Sequence, residues 1–131
     1  MQSDTQTAPV SKTMLWTGRI ISALPVLMLL MSGIMKFVKP EPVVQGFKDL
    51  GWDESKALAL GIVELSCTVI YLIPRTSVLG AILLTGYLGG AIATHVRIGD
   101  QFIGPLVFGV LVWLGLFLRD ARLRALIPLR R

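Results

Sequence analysis

The sequence predicts an all-α fold: an integral membrane four-helix bundle with a short interfacial helix between helices 1 and 2. Three observations carry this expectation. Of 131 residues, 53% are hydrophobic and 16% charged, against ~45–50% apolar and ~25% charged in a soluble domain. The mean hydropathy is +0.70. The apolar residues collect in four segments, 16–37, 57–73, 78–96 and 103–118, and crossing ~30 Å of hydrocarbon takes ~17–25 residues. The second and fourth are short, so their ends reach into the headgroup layer or the bilayer thins around them. This composition excludes a soluble enzyme and a disordered chain. The single cysteine, Cys67, excludes an intrachain disulfide, a CxxC pair and a four-cysteine metal site.

The elements follow in order. Residues 1–13 are polar and read as a disordered cytoplasmic tail. The first apolar run exceeds the ~7–15 residues of a signal peptide core, and Lys36, Phe37, Val38 and Lys39 follow it instead of a cleavage site. It therefore reads as a retained span. Pro25 sits mid-segment and is expected to kink it. Pro40 and Pro42 end this helix; Val43, Val44, Phe47 and Leu50 then recur at helical spacing before Gly51. That pattern predicts a short amphipathic helix on the membrane surface, anchored by Trp52. Asp53 reads as the N-cap of the second span. Residues 74–77 and 97–102 make tight turns, and residues 120–131 form a basic cytoplasmic tail. With both termini on one side, that side carries eight Lys and Arg against five on the other. The positive-inside rule then places both termini in the cytoplasm.

In lipid the polar residues identify the inner faces. At ~100° per residue, Gly61, Glu64, Cys67, Thr68 and Tyr71 share one stripe of the second helix, opposite Ile62, Leu65, Val69 and Ile73. On the first helix Gly18, Ser22, Pro25, Leu29, Ser32, Gly33 and Lys36 fall together, with Ile20, Leu24, Leu27, Met31 and Ile34 outside. Lys36 and Glu64 thus face the interior with opposite charge. Glu64 is paired, protonated or in contact with a water-filled pocket. On the third helix Gly86 and Gly90 form a GxxxG continued by Ala93, a pattern suited to close helix packing. Arg97 extends that stripe, while His95 lies with Leu84 and Leu88 on the opposite side. The fourth helix, with Gly104, Pro105, Gly109 and Gly115 but no ionisable residue, reads as scaffold.

Residues 80–99, GAILLTGYLGGAIATHVRIG, combine with Ser32, Gly33, Ile34, Met35 and Lys36 upstream and with Glu64. Over residues 14–118 the chain resembles the DoxX-like family. The resemblance implies a small four-helix membrane protein. Relatives include a subunit of a thiosulfate:quinone oxidoreductase, a component of thiol and oxidative-stress defence, and an assembly factor for acetylcholine receptors. Fold transfers across such a family more readily than activity.

The candidate polar pocket comprises Lys36, Glu64, Thr68, Tyr71, His95 and Arg97. For Lys36 and Glu64 two roles stay open: a structural ion pair, or a ligand pocket open to the outer leaflet. His95 and Arg97 make headgroup contacts at a helix end, or Arg97 pairs with Asp100 or an anionic ligand. One histidine and one carboxylate are too few for a metal site, and Cys67 reads as a small packing residue. No catalytic residue and no encoded cofactor are expected, although a bound quinone fits the resemblance. The expected partners are the lipid bilayer, a membrane or redox protein, or a second copy of the chain, and not nucleic acid. The expected role is an accessory or anchoring subunit of a quinone-linked redox or detoxification complex in a bacterial plasma membrane. The alternatives are a binder or transporter of a small lipophilic molecule, and a helix-packing scaffold or assembly factor acting through Gly86, Gly90 and Ala93.

Overall fold

A computed structural model describes residues 10–130. Most of the expected N-terminal tail, residues 1–9, lies outside the described residues, as does Arg131. The elements are α1 (Lys12–Val38), α2 (Glu41–Asp49), α3 (Lys56–Leu72), a 3₁₀ turn (Pro74–Thr76), α4 (Ser77–Arg97), α5 (Ile103–Arg119) and α6 (Ala121–Arg124). No strand occurs among the described residues. The long helices coincide with the four apolar segments to within a few residues. Two differences lie at their starts. Lys12 and Thr13, expected in the tail, are helical because Ser11 Oγ accepts the Met14 N–H at 3.2 Å and caps α1. Asp53 is not the N-cap of α3. Its Oδ1 accepts the Ser55 N–H at 3.1 Å in a local turn, and Ser55 occupies the cap position.

Between α1 and α2 the chain turns at Lys39, whose φ of 56° is left-handed, and Pro40 then opens α2. Helix α1 runs unbroken through Pro25, which lies on its buried face. The four long helices close into a ring: α1 packs on α3 and α5, and α4 packs on the same two from the other side. Val26 and Leu29 from α1 meet Cys67 and Tyr71 from α3, Ala81, Leu84 and Leu88 from α4, and Val112 and Leu116 from α5.

Burial runs opposite to that of a soluble protein. Leu27 is 63% exposed and Ile20 62%, whereas Glu64 is 1% exposed. An outer surface of leucine, isoleucine and valine around an interior that holds Ser22, Glu64, Thr68 and Ser77 within its apolar core matches lipid as the surrounding solvent. Helix α1 and the segment Pro74–Arg97 are each long and apolar enough to cross a membrane, and α5 is a shorter apolar helix. The inner stripes expected for α1 and α3 are the buried ones.

On α4 the structure reverses the expected face. Ala81, Leu84 and Leu88 are buried, while Gly86, Gly90 and Ala93 are exposed, and a Cβ at either glycine would meet nothing within 4 Å. Close packing inside the chain uses other glycines. A Cβ at Gly115 would lie 2.1 Å from Ser22 Oγ, and one at Gly18 would lie 2.7 Å from the Gly115 carbonyl oxygen. These two let α1 and α5 touch backbone to backbone. A leucine pair fills the centre of α4 better than glycines because the core requires volume there.

Candidate functional site

Glu64 stands eight positions after Lys56, the first residue of α3, on the face turned to α1 and α4. Its Oε1 accepts from Lys36 Nζ at 2.7 Å, from Tyr87 Oη at 2.9 Å and from Ser32 Oγ at 3.4 Å. Lys36 reaches it because the last turn of α1 points its stem back into the bundle. Lys36 Nζ also donates to Ser32 Oγ at 2.9 Å, one turn earlier on the same helix. Ionic and hydroxyl partners from two neighbouring helices, α1 and α4, thus satisfy one buried carboxylate, as a charge in a low-dielectric interior requires. All three donors converge on Oε1, and Oε2 accepts from none among the described residues.

Lys36 and Tyr87 form the inner wall of a cavity of about 400 Å³ lying under α2. Phe47, Leu50 and Trp52 cover it from the α2 side, and His95 and Thr94 stand along α4. An ammonium has three N–H donors, and Lys36 commits two of them. His95 Nδ1 lies 2.7 Å from the Ala91 carbonyl oxygen. A carbonyl only accepts, so Nδ1 donates in this hydrogen bond and Nε2 is the ring atom left for another partner. The cavity therefore offers the Lys36 ammonium and the second ring nitrogen of His95 between apolar walls.

The remaining expected site residues lie elsewhere. Thr68 is fully buried one turn along α3 and donates to the Glu64 carbonyl oxygen at 2.7 Å. Tyr71 belongs to the opposite end of the bundle, where its hydroxyl lies 2.9 Å from Ser22 Oγ and donates to the Val112 carbonyl at 2.7 Å. Arg97 is exposed and neither reaches Glu64 nor pairs with Asp100; its guanidinium donates to the Leu50 carbonyl oxygen and ties the end of α2 to α4. Gly86 and Gly90 line the cavity under α2 rather than a helix interface. So the six candidates separate into a cluster around Glu64 and Lys36, a cavity wall at His95, and three residues with other structural duties.

Ser32 and Tyr87 are partners that the expected pocket omitted. Tyr87 was legible in principle, because it falls beside Leu84, Leu88, Ala91 and His95 on one side of α4. Among the described residues no three His, Cys, Asp or Glu side chains converge to form a metal site.

The profile of the DoxX-like family matches residues 20–115, which include Lys36, Glu64, Tyr87 and His95. The chain belongs to the DoxX-like family. No curated protein matches it, and no solved structure does. Family membership, the apolar outer surface and two helices of spanning length agree on a DoxX-like membrane protein. In this DoxX-like chain the matched region runs from Ile20 to Gly115, so Ser22 and Gly115 of the α1–α5 contact fall within it, whereas Gly18 and α6 fall outside. Helix α6 is nevertheless folded onto the bundle: Leu123 is buried, and Arg124 donates to the Phe117 and Leu118 carbonyls at the end of α5. The expected basic tail is therefore partly a helix cap.

Proposed function

We propose that the cavity under α2 binds a small lipophilic molecule with a carbonyl or hydroxyl head, for which a quinone is the chemical class of best fit. The observation that carries this is the cavity's composition. A lysine ammonium with an uncommitted donor and a histidine with an uncommitted ring nitrogen face apolar walls from Phe47, Leu50 and Trp52. A quinone carbonyl accepts from the first, and a quinol hydroxyl donates to the second. Glu64 holds Lys36 in place beside the cavity.

In this proposal the chain crosses a bacterial plasma membrane four times, through α1, α3, α4 and α5. Both termini lie in the cytoplasm, and α2 rests on the outer surface. The excess of Lys and Arg on the terminal side supports that orientation. The protein acts as an accessory or anchoring subunit, holding the ligand for a partner that carries the redox centre. The exposed glycines of α4 favour a second role, a scaffold whose partner helix lies over Gly86 and Gly90.

Extraction of the protein in native lipid, followed by mass spectrometry of its small molecules, tests the ligand. Wild-type protein is expected to retain an isoprenoid quinone. The double variant Lys36→Met, Glu64→Gln is expected to retain about tenfold less, as the loss of one charge-assisted hydrogen bond predicts. A quinone-free wild type, or equal retention by both proteins, contradicts the proposal.

A further inference from the structure

A second cavity, of about 510 Å³, lies at the other end of the bundle, where α1 begins and α3 and α5 end. It shares no residue with the cavity under α2. Two guanidiniums line it, Arg19 from α1 and Arg119 from the last position of α5.

Arg119 is fixed in place. Its Nε donates to Ser22 Oγ at 3.2 Å, and its Cζ lies 5.3 Å from the centroid of the Tyr71 ring. Guanidinium has five N–H donors, and the other four of Arg119 make no hydrogen bond among the described residues. Arg19 lies over the Trp16 ring with its Cζ 4.8 Å from the centroid, and likewise donates to no described group. Neither arginine is paired with a carboxylate among the described residues. The acid in the lining, Asp120, directs Oδ1 to the Arg122 and Leu123 N–H groups at 2.9 and 3.2 Å, capping α6. One fixed and one exposed cation, both with open donors, therefore face one committed carboxylate.

The rest of the lining sets the kind of anion. Ala23, Val26 and Leu27 continue the wall along α1, and Leu72 faces them from the end of α3. Leu27 lies eight residues beyond Arg19, ~12 Å along the helix axis at ~1.5 Å per residue. The cavity is thus cationic at the level of the helix ends and apolar deeper in the membrane. A soluble phosphate would use the first part only; a phospholipid uses both. Arginine forks match phosphate oxygens.

We propose that Arg19 and Arg119 hold the phosphate of an acidic phospholipid whose acyl chain lies along Ala23, Val26 and Leu27. The assignment rests on the chain being a membrane protein and is independent of the ligand under α2.

Native mass spectrometry of delipidated protein tests it, with added dioleoylphosphatidylglycerol or dioleoylphosphatidylcholine. The acyl chains are identical, so only the head differs. The acidic lipid is expected to bind in preference, and Arg19→Gln to weaken it about tenfold. Arg19 is exposed and carries no other element, so this variant keeps the fold. Arg75, in the turn at the same end but outside the lining, is the control: Arg75→Gln is expected to change nothing. Equal binding of both lipids overturns the proposal, as does an equal effect of the two substitutions. Full displacement of the lipid by the same concentration of inorganic phosphate overturns the lipid assignment in favour of a soluble anion.

Discussion

Lys36→Met is expected to destabilise the bundle by about 3–5 kcal/mol, the cost of leaving a buried carboxylate without its cation. The carboxylate of Glu64 would keep only the hydroxyls of Tyr87 and Ser32. Glu64→Gln alone costs less, about 1 kcal/mol, because the amide oxygen still accepts from Tyr87 and the lysine stem can carry its charge outward. Combining the two is expected to recover most of the loss, since a buried pair removed together is often close to neutral. Thermal midpoints of the three variants in detergent check this, and the double-mutant cycle isolates the coupling. Additive losses would mean that Lys36 and Glu64 do not depend on one another. The double variant also separates stability from binding, because it deletes the cavity's cation from a protein that still folds.

Gly115→Leu is expected to abolish the folded bundle. The first side-chain carbon alone would lie 2.1 Å from Ser22 Oγ and 2.9 Å from the Ser22 backbone nitrogen. Backbone cannot yield as a flexible side chain can, so α5 must leave α1, and overpacking of even a tolerant core costs ~1–3 kcal/mol. Separation would also break the hydrogen bond from Arg119 to Ser22 and that from Tyr71 to the Val112 carbonyl. Gly90→Leu is the matched control. Nothing lies within 4 Å of a Cβ there, and the variant is expected to keep the wild-type midpoint. Size-exclusion profiles and thermal melts of the two variants check the contrast. Equal damage at both positions would contradict the assignment of α1–α5 as the close helix contact.

Much of the architecture is legible in the sequence for one physical reason. A charged or hydroxyl side chain is costly in lipid, so Glu64, Lys36, Ser22 and Tyr71 identify the inner faces of α1 and α3. The stripes drawn through them are the buried ones. Helix α4 misleads because its mid-depth hydroxyls point different ways: Thr85 is exposed and donates to the Ala81 carbonyl of its own helix, whereas Tyr87 turns inward to Glu64. Its glycines at spacing four suggest an interface, yet Leu84 and Leu88 fill the core and the glycines are exposed. The GxxxG pattern shows that a helix permits close approach; it does not show that another helix makes it. Gly18 and Gly115, which do make the contact, belong to different helices, and spacing along one chain carries no trace of such pairing.

The site divides in the same way. Pairing of Lys36 with Glu64 follows from opposite charges on facing stripes. Tyr87 was obscured by the reversed face of α4, and its hydrogen bond to Glu64 becomes visible only when Leu84 and Leu88 point inward. Arg97 was drawn into the expected pocket by its charge, although an exposed arginine at a helix end satisfies itself on the nearest free carbonyl, here that of Leu50. Tyr71 shares a stripe with Glu64 but stands seven residues on, ~10 Å along the helix axis, which places it in the cluster at the opposite end.

The cavity under α2 and its uncommitted donor and ring nitrogen carry the functional account. Trp52 lines that cavity and reports on it directly. With Trp16 and Trp113 replaced by phenylalanine, Trp52 is the single tryptophan, and a short-chain quinone titrated into lipid nanodiscs quenches it on contact. Saturable quenching is expected, weakened about tenfold or more when Lys36→Met and Glu64→Gln are combined. Quenching that rises linearly with quinone, or saturates identically in the double variant, would contradict a quinone site at Lys36 and His95.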